Sequence, residues 1–493
     1  MMTLNELVGC LQQFSKSNDS NPAINTIEMD SRQVKDGSLF ICIEGYTVDG
    51  HDFAHQAIEK GAVAILAEKP LNVAVPVIYV KDTKRAMAII SNVFYDHPTT
   101  KLTLIGVTGT NGKTTTTHLI DQILMDASVK TGLIGTMYMK IADEKVEAKN
   151  TTPESISLQQ SFQKMVDQGV QSAIMEVSSH ALHLGRVRGC DFNIAVFTNL
   201  SQDHLDYHQT MEAYRNAKGL LFAQLGNTYC NKDKKIAVLN ADDPASKEYE
   251  KMTAAQIVTY GIDHECDVRA TNIKITAQGT HFEVEAFGQK HSVQLKMIGK
   301  FSVYNALAAM TTCLVDGLPL DAIIESLENV DGVSGRFEPV DAGQPFTVIV
   351  DYAHTPDSLE NVLLTVKEFV LGEIYVVVGC GGDRDKTKRP VMAKIANDLG
   401  NHVILTSDNP RSEDPLQIIK DMEEGLTENS SHVSIVDRKN AISYAVGKAK
   451  ENDVIVIAGK GHETYQVIGK NTIFFDDRLV ASEAIKERGI NEF

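Results

Sequence analysis

The sequence has little positive charge. Its 47 lysines and arginines face 65 aspartates and glutamates, so the net charge is −18 with histidine neutral. Proteins that bind nucleic acid or an anionic membrane surface by electrostatics usually carry the opposite excess. We therefore expect no nucleic-acid partner and no membrane partner. If the ligands are anions, local basic residues must hold them against an unfavourable overall field.

Paired cysteines and long apolar runs are also missing. The seven cysteines show no CxxC spacing, and their odd number argues against a disulfide framework. They are Cys10, Cys42, Cys190, Cys230, Cys266, Cys313 and Cys380. No basic segment followed by an apolar run opens the chain, and no segment reaches the ~18 apolar residues of a membrane span. We expect a cytoplasmic protein with reduced thiols.

What the sequence does contain is three blocks of α/β pattern, and its 493 residues suit about three domains. Residues 1–98 mix short strands and helices. Residues 99–332 carry a strand, a glycine loop and a helix, then apolar strands and an antiparallel patch at 268–298. Residues 333–493 repeat strand and then helix, which predicts parallel sheet covered on both faces. The predicted fold class is α/β, with a mixed N-terminal domain, a central P-loop domain and a C-terminal Rossmann-like domain.

The stretch VTGTNGKTTTTHLI, residues 107–120, joins the apolar strand LTLIGVT to a helix. Its Gly112-Lys113-Thr114 matches the end of the common phosphate-binding loop, but the glycine expected five residues before Gly112 is replaced by Val107. Backbone N–H groups, the helix N-terminus and Lys113 all favour a phosphate. The Thr114 hydroxyl could bind Mg2+. We predict a nucleotide site of unusual spacing.

Polar residues follow the next apolar strands, at the sheet edge where ligands collect in such folds. Glu176 ends the strand SAIMEVS, and His204 follows the strand NIAVFTNL, so both could bind Mg2+. Each also has an ordinary interpretation, as a surface acid and as a loop histidine with local partners. Lys218 lies in the helix MEAYRNAKGLLF. A lysine cannot bind a metal while its amine is protonated. Composition alone therefore predicts an ordinary solvated lysine on this helix.

Taken together, the motifs resemble the Mur ligase family from end to end. They are TGTNGKTT, MEVSSHAL, FTNLSQDHLDYH, GRFE and DYAHTPDSL. That family uses G-T-N-G-K-T as its nucleotide loop, which accounts for the spacing. MDSR at 29–32, NTTP at 150–153 and GCGGDRD resemble the MurE branch, which adds the third amino acid to UDP-N-acetylmuramoyl-L-alanyl-D-glutamate in peptidoglycan synthesis. The resemblance implies an ATP-dependent, ADP-forming amide ligase that works through an acyl phosphate. We expect a monomer.

The resemblance also implies roles for individual residues. ATP would be bound by Gly109, Thr110, Asn111, Gly112, Lys113, Thr114, Thr115, Asn305, Arg336, Asp351 and His354. Mg2+ would be held by Thr114, Glu176, His204 and Lys218, the last as a carbamate formed from CO2. The UDP-linked substrate would be bound by Ser31, Asn150, Thr151, Thr152, Ser178 and Arg186. The predicted catalytic residues are Lys113, Glu176, His204 and Lys218.

The added amino acid is predicted from the last block, where polar strings follow neighbouring strands at 379–390, 408–415 and 459–463. Meso-2,6-diaminopimelate carries a second carboxylate that lysine lacks, and a guanidinium can bind it through paired hydrogen bonds. DNPR at 408–411 also resembles the motif of the diaminopimelate-adding members. We predict diaminopimelate, bound by Arg384, Asp408, Asn409, Pro410, Arg411, Gly459 and Glu463, with Glu463 facing the ammonium.

Several alternatives stay open. Lysine could replace diaminopimelate. Folylpolyglutamate synthase shares the ligase plan but has no counterpart of the N-terminal domain that carries MDSR. A regulatory GTP-binding protein would need Asn-Lys-x-Asp, and the nearest string, Asn231-Lys232-Asp233-Lys234, has its aspartate one place early. An inactive scaffold with the same fold is the last alternative, although every position predicted to bind a ligand carries the residue that binding requires.

Overall fold

The computed structural model describes residues 2–45, 48–148, 150–228, 234–276, 278–427 and 430–491. Asn231, Lys232, Asp233 and Cys230, considered above, lie outside these residues. None of the helices in the described ranges combines the length and the apolar character that a membrane crossing requires.

The N-terminal part is built on a sheet of order β2-β7-β6-β5-β4 among the described residues. Strands β4 to β7 pair in parallel and β2 pairs antiparallel with β7. The elements are β1 Met2–Thr3, α1 Leu4–Val8, β2 Ser15–Lys16, β3 Ala23–Ile24, β4 Thr26–Glu28, β5 Ser38–Ile41, α2 Ala54–Glu59, β6 Ala62–Ala67, β7 Val77–Tyr79 and α3 Thr83–Phe94, with 3-10 turns at Gly50–Phe53 and Pro98–Thr100.

The central part holds a longer sheet of order β11-β10-β9-β12-β8-β13-β14-β15-β16-β17-β18, counted over the described residues. Its elements are β8 Thr103–Thr108, α4 Lys113–Asp126, β9 Thr131–Ile134, β10 Tyr138–Ile141, β11 Glu144–Glu147, α5 Ser155–Asp167, β12 Ser172–Glu176, α6 Ser179–His183, β13 Ile194–Phe197, α7 Leu205–His208, α8 Met211–Ala223, β14 Ile236–Asn240, α9 Ser246–Met252, β15 Gln256–Gly261, β16 Val268–Thr276, β17 Gly279–Ala286, β18 Gln289–Leu295, α10 Lys300–Asp316 and α11 Leu320–Asn329.

Strand β8 lies at the middle of the parallel region, between β12 and β13. Leu104, Ile105 and Val107 of this strand are fully buried, because helices cover both faces of the sheet. One face packs against α4 and α10, and the other contributes to a second apolar cluster that includes residues of α5 and α8. The predicted antiparallel patch is β16–β18, and it continues the same sheet rather than forming a separate one.

The C-terminal part carries a sheet of order β19-β20-β24-β21-β22-β23 within the described residues, parallel from β20 to β23. Its elements are β19 Glu338–Pro339, β20 Thr347–Asp351, α12 Pro356–Lys367, β21 Ile374–Val378, α13 Lys388–Leu399, β22 His402–Leu405, α14 Pro415–Glu423, β23 His432–Ser434, α15 Arg438–Lys448, β24 Val454–Ala458, β25 Tyr465–Ile468, β26 Asn471–Phe474 and α16 Asp477–Asn491. The predicted α/β class is confirmed. The exact domain limits stay a prediction.

Candidate active site

A cavity of about 710 Å³ lies between the central and C-terminal parts of the chain. It opens where β8, β12 and β13 end, and helix α12 closes its other side. Nearly all the residues predicted to bind ATP and metal line it. They are Thr110, Asn111, Gly112, Lys113, Thr114, Thr115, Glu176, His204, Lys218, Asn305, Arg336, Asp351 and His354. The structure therefore brings together side chains that the sequence spreads over about half the chain.

The loop between β8 and α4 has the backbone that its glycines predict. Gly109 has a φ of +155°, and a Cβ there would lie 1.8 Å from the Thr198 hydroxyl oxygen, so only glycine fits. Lys113 begins α4, and its ammonium donates to the carbonyls of Gly109 (2.9 Å) and Thr110 (2.7 Å). Burial lowers the pKa of Lys113. The helix N-terminus leaves N–H groups free for an anion, as phosphate binding requires.

Glu176 is the buried acid of the site, with none of its surface exposed. It ends β12 next to β8, and its Oε1 accepts a hydrogen bond of 3.1 Å from the Thr114 hydroxyl. Arg336 donates to the same hydroxyl at 3.3 Å. In the described part of the chain, no group of three or more histidine, cysteine or acidic side chains could hold a metal unaided. The Glu176 carboxylate with the Thr114 hydroxyl suits Mg2+, which proteins bind through one or two carboxylates together with substrate phosphates.

His204 and Lys218 complete the predicted metal group, in very different surroundings. The His204 side chain is 44% exposed, and its ring lies 4.8 Å from that of His180. Lys218 is only 2% exposed, so the prediction from composition alone, that this lysine is solvated, is wrong. Its amine donates to the Gly109 carbonyl at 2.7 Å. Burial, and then the charge of Lys113, holds the pKa of Lys218 well below its usual value.

The C-terminal part supplies the opposite wall. Asp351 ends β20, and its two oxygens accept hydrogen bonds of 2.7 Å from the backbone N–H groups of Phe337 and Ala353. Burial raises the pKa of Asp351. The Arg336 guanidinium lies 4.4 Å from the centre of the Tyr352 ring. The same tyrosine's carbonyl is 2.8 Å from Nδ1 of His354. These contacts fix a basic and aromatic surface facing the phosphate loop.

Most of the residues predicted to bind the UDP-linked substrate surround Glu176. The Thr152 hydroxyl donates to the Glu176 carbonyl at 2.9 Å and accepts from the Ser178 N–H at 3.1 Å. Arg186 donates to the Thr152 carbonyl at 3.0 Å. Thr151 and Ser178 line the cavity. Two predicted residues lie apart from this group: Asn150 is exposed, and Ser31 is in the N-terminal part, where it donates to Gln56.

The residues predicted to bind the amino acid form a second cluster, outside the cavity lining, after β21, β22 and β24. Asn409 donates to Glu463 Oε2 at 2.9 Å, and Arg411 donates to the Gly382 carbonyl at 2.9 Å. The exposed Arg384 donates to the Asp383 carbonyl at 3.0 Å. Asp408, Asn409, Pro410, Arg411 and Gly459 form one continuous group around Gly379, Gly381 and Gly382.

Three polar residues of these sites were missed by the sequence analysis. Thr136 hydrogen-bonds Glu176 from a turn between β9 and β10 that carries no recognised motif. Asp357 contacts the phosphate loop from α12, and it stands inside the quoted string DYAHTPDSL. Lys460 is fully buried and lies 3.0 Å from Glu463 Oε2. Lys460 belongs to the string GKGHE at 459–463 that the sequence analysis singled out, but the sequence does not show that its side chain is buried against Glu463.

Comparison with known proteins agrees with this geometry. The family model of the Mur ligase middle domain matches residues 107–313, the Mur ligase glutamate ligase domain matches 335–461, and the Mur ligase family catalytic domain matches 23–100. A protein of Halalkalibacterium halodurans is 60% identical over 99% of this chain and 100% of its own length. The chain belongs to the Mur ligase family.

Two further relatives of this Mur ligase extend the comparison. A Bacillus cereus protein is 58% identical over the whole of both chains. Both it and the H. halodurans protein are named UDP-N-acetylmuramoyl-L-alanyl-D-glutamate--2,6-diaminopimelate ligase. A solved structure of a ligase with that name is 35% identical, with a TM-score of 0.70 over 94% of this chain and 95% of the other. The predicted family and the predicted three-domain α/β fold are confirmed.

Proposed function

We propose that this Mur ligase joins meso-2,6-diaminopimelate to the D-glutamyl side-chain carboxylate of UDP-N-acetylmuramoyl-L-alanyl-D-glutamate, with ATP converted to ADP and phosphate. The observation that carries the proposal is the meeting of Lys113, Glu176 and Arg336 in one cavity between two domains. Relatives of 58–60% identity over the full chain carry the name of this reaction. We assign the reaction to peptidoglycan precursor synthesis in the cytoplasm.

The cavity suits the activation of a carboxylate. A carboxylate resists attack by an amine, because its oxygen is a very poor leaving group. Transfer of the γ-phosphoryl group of ATP onto it forms an acyl phosphate, from which the amine later expels phosphate. Both reacting partners are anions, so cations must neutralise charge as they approach. Lys113 and Arg336 are the basic side chains placed for this at the phosphate loop.

The donors that would hold Mg2+ are Thr114 and Glu176, with His204 nearby. Bound Mg2+ would neutralise phosphate oxygens and orient the γ-phosphoryl group. The hydrogen bond of 3.1 Å from Thr114 to Glu176 places the hydroxyl and the carboxylate side by side, so both would be available to one cation. Helix α4 and strand β12 present both groups on rigid elements rather than on a loose loop.

The surroundings of Lys218 support the proposal that its amine is carbamylated. CO2 adds to a neutral amine and not to an ammonium, and burial with the neighbouring Lys113 favours the neutral form of Lys218. A carbamate would turn a buried group without a useful metal donor into a carboxylate-like one. Its present partner, the Gly109 carbonyl, belongs to the phosphate loop, so the modified side chain would lie beside the bound nucleotide.

The second cluster would select the amino acid. Nη1 of Arg411 and Cγ of Arg384 lie 3.0 and 3.7 Å from the position of a Cβ at Gly381. The Arg411 guanidinium, with the Arg384 side chain beside it, suits a ligand carboxylate remote from the reacting amine. Diaminopimelate has that carboxylate, whereas lysine would leave the half-buried Arg411 guanidinium without a charged ligand partner. Glu463, held by Asn409 and Lys460, would accept the accompanying ammonium.

The test is phosphate release from ATP with Mg2+ and the UDP-muramoyl dipeptide, comparing meso-diaminopimelate, L-lysine and no amine. We expect strong stimulation by diaminopimelate alone, and its loss in Lys113→Met. Lys394→Met, an exposed lysine on α13, is the matched control and should behave as wild type. Stimulation by lysine alone would reassign the amino acid. Stimulation by neither, but by glutamate with a reduced folate, would favour the folylpolyglutamate alternative.

A further inference from the structure

The turn between β9 and β10 encloses the buried carboxylate of Glu176. The Thr136 N–H donates to Glu176 Oε1 at 2.9 Å, and the Thr136 hydroxyl donates to Oε2 at 3.1 Å. One residue therefore binds both oxygens of the acid. The preceding residue, Gly135, leaves the room for this, because a Cβ there would lie 2.5 Å from Glu176 Oε1. This backbone is shaped around the carboxylate.

The Thr136 hydroxyl has a second partner. Its oxygen lies 3.0 Å from the hydroxyl oxygen of Thr151, in the loop predicted to bind the UDP-linked substrate. A hydroxyl can donate one hydrogen bond and accept others, so Thr136 can donate to Glu176 while it accepts from Thr151. A chain of hydrogen bonds then runs from the substrate loop through Thr136 to Glu176, and from Thr114 of the phosphate loop to the same carboxylate.

We propose that Thr136 is a positioning residue, which holds Glu176 in the orientation that binds the metal and links that carboxylate to Thr151 of the substrate loop. The proposal deepens the proposed function and rests on it for the identity of the substrate. Partners one step removed from a metal fix the orientation of its ligands, and their loss commonly weakens metal binding about 10- to 100-fold. Hydrogen bonds to both oxygens resist rotation of the Glu176 carboxylate.

Three variants separate the hydroxyl from the shape of the side chain. Thr136→Val removes the hydroxyl and keeps the backbone N–H and the volume. Thr136→Ser keeps the hydroxyl and removes the methyl group. Thr271→Val makes the same chemical change at an exposed threonine of β16, far from the cavity. Thermal unfolding of each purified protein establishes that it is folded before binding is measured.

The first measurement is Mn2+ binding in the presence of ADP, followed by the electron paramagnetic resonance signal of free Mn2+. We expect Thr136→Val to weaken binding about tenfold, and both Thr136→Ser and Thr271→Val to stay within about threefold of wild type. Unchanged binding in Thr136→Val overturns the proposal. Equal weakening in Thr136→Val and Thr136→Ser overturns it too, because the variant that keeps the hydroxyl would then bind no better than the variant that lacks it.

The second measurement repeats the titration with saturating UDP-muramoyl dipeptide. In wild type we expect the dipeptide to tighten Mn2+ binding severalfold, and in Thr136→Val we expect that tightening to be lost. No tightening in wild type, or equal tightening in both proteins, overturns the link to the substrate loop. Neither titration contains diaminopimelate or measures turnover. A failure of diaminopimelate to stimulate phosphate release would therefore contradict the proposed function while leaving the metal result standing.

Discussion

Asn111 in the phosphate loop donates a hydrogen bond of 2.5 Å to the carboxylate of Asp357, at the start of helix α12 and 246 residues further along the chain. The same Asp357 oxygen accepts a hydrogen bond of 2.7 Å from the Ser201 hydroxyl, which follows strand β13. A single carboxylate of the C-terminal domain thus holds two loops of the central domain. Because both loops border the cavity, we expect Asp357 to link the packing of the central and C-terminal parts to the shape of the proposed nucleotide site.

We expect Asp357→Ala to lower kcat/KM for ATP by about tenfold or more, because a hydrogen bond to a charged group contributes ~1.5–3 kcal/mol. Steady-state kinetics with ATP varied measures the change. Glu360→Ala, an exposed acid on the same helix, is the control and should match wild type. If Asp357→Ala kept its kcat/KM for ATP, the contact with Asn111 would have no part in nucleotide binding.

Carbamylation of Lys218 is directly observable. After equilibration with 13C-bicarbonate, we expect a carbamate carbon signal in the NMR spectrum that is absent from Lys218→Met. The reason is that burial lowers the pKa of this amine and so favours its neutral form, which is the form that reacts with CO2. The variant should lose about 100-fold or more in kcat, as happens when a group that stabilises transition-state charge is removed.

Lys247→Met provides the comparison, because Lys247 is exposed on α9 and lacks the burial on which the carbamate of Lys218 depends. Its spectrum should keep the Lys218 signal at full intensity. A wild-type spectrum without a carbamate signal, in a protein of full activity, would refute the modification.

The strands and the phosphate loop were predictable because their signals are local. The centre of β8, LIGV, carries no polar side chain, as expected of a strand buried on both faces, and the glycine spacing of the next loop follows within a few residues. Glu176 and His204 follow such strands, so the topology of a parallel sheet brings them to one edge whatever the loop lengths are.

The burial of Lys218 and the contacts of Thr136 and Asp357 were not predictable in this way. Lys218 reaches Gly109 across 109 residues, and Asp357 reaches Asn111 across 246. Such contacts depend on how helices and domains pack, and no periodic pattern records them. Thr136 lies in a short turn, where a threonine is ordinary, and only its distance to Glu176 makes it notable.

Arg411 is predicted to recognise the remote carboxylate of diaminopimelate. We expect Arg411→Ala to raise the KM for diaminopimelate at least about tenfold, because hydrogen bonds to a charged group contribute ~1.5–3 kcal/mol. The KM for ATP should stay within about threefold, because Arg411 lies outside the cavity lining. Arg411→Lys keeps the charge without the paired donors, so its KM for diaminopimelate should fall between the values of wild type and Arg411→Ala. An equal rise in both KM values would contradict the assignment.

Glu413 predicts a pH dependence of stability at the loop that carries Arg384. Its two oxygens accept hydrogen bonds of 2.9 and 3.0 Å from the fully buried Arg389, and its Oε1 also accepts 2.6 Å from the Asp383 N–H. These contacts, that with Arg389 first, lower the pKa of Glu413 from 4.5 to about 2. The unfolded chain therefore binds the proton at a higher pH than the folded chain does.

The stabilisation by Glu413 should be complete above about pH 4.5 and lost as the pH falls towards 2. We expect Glu413→Gln to have a lower free energy of unfolding than wild type at pH 5.5, and the difference to shrink at pH 4.5 and again at 3.5. Urea unfolding at the three values measures it. Glu424→Gln, at an exposed acid just after α14, should show no such trend. A wild-type advantage that stayed constant from pH 5.5 to 3.5 would mean that the carboxylate charge of Glu413 does not hold this loop.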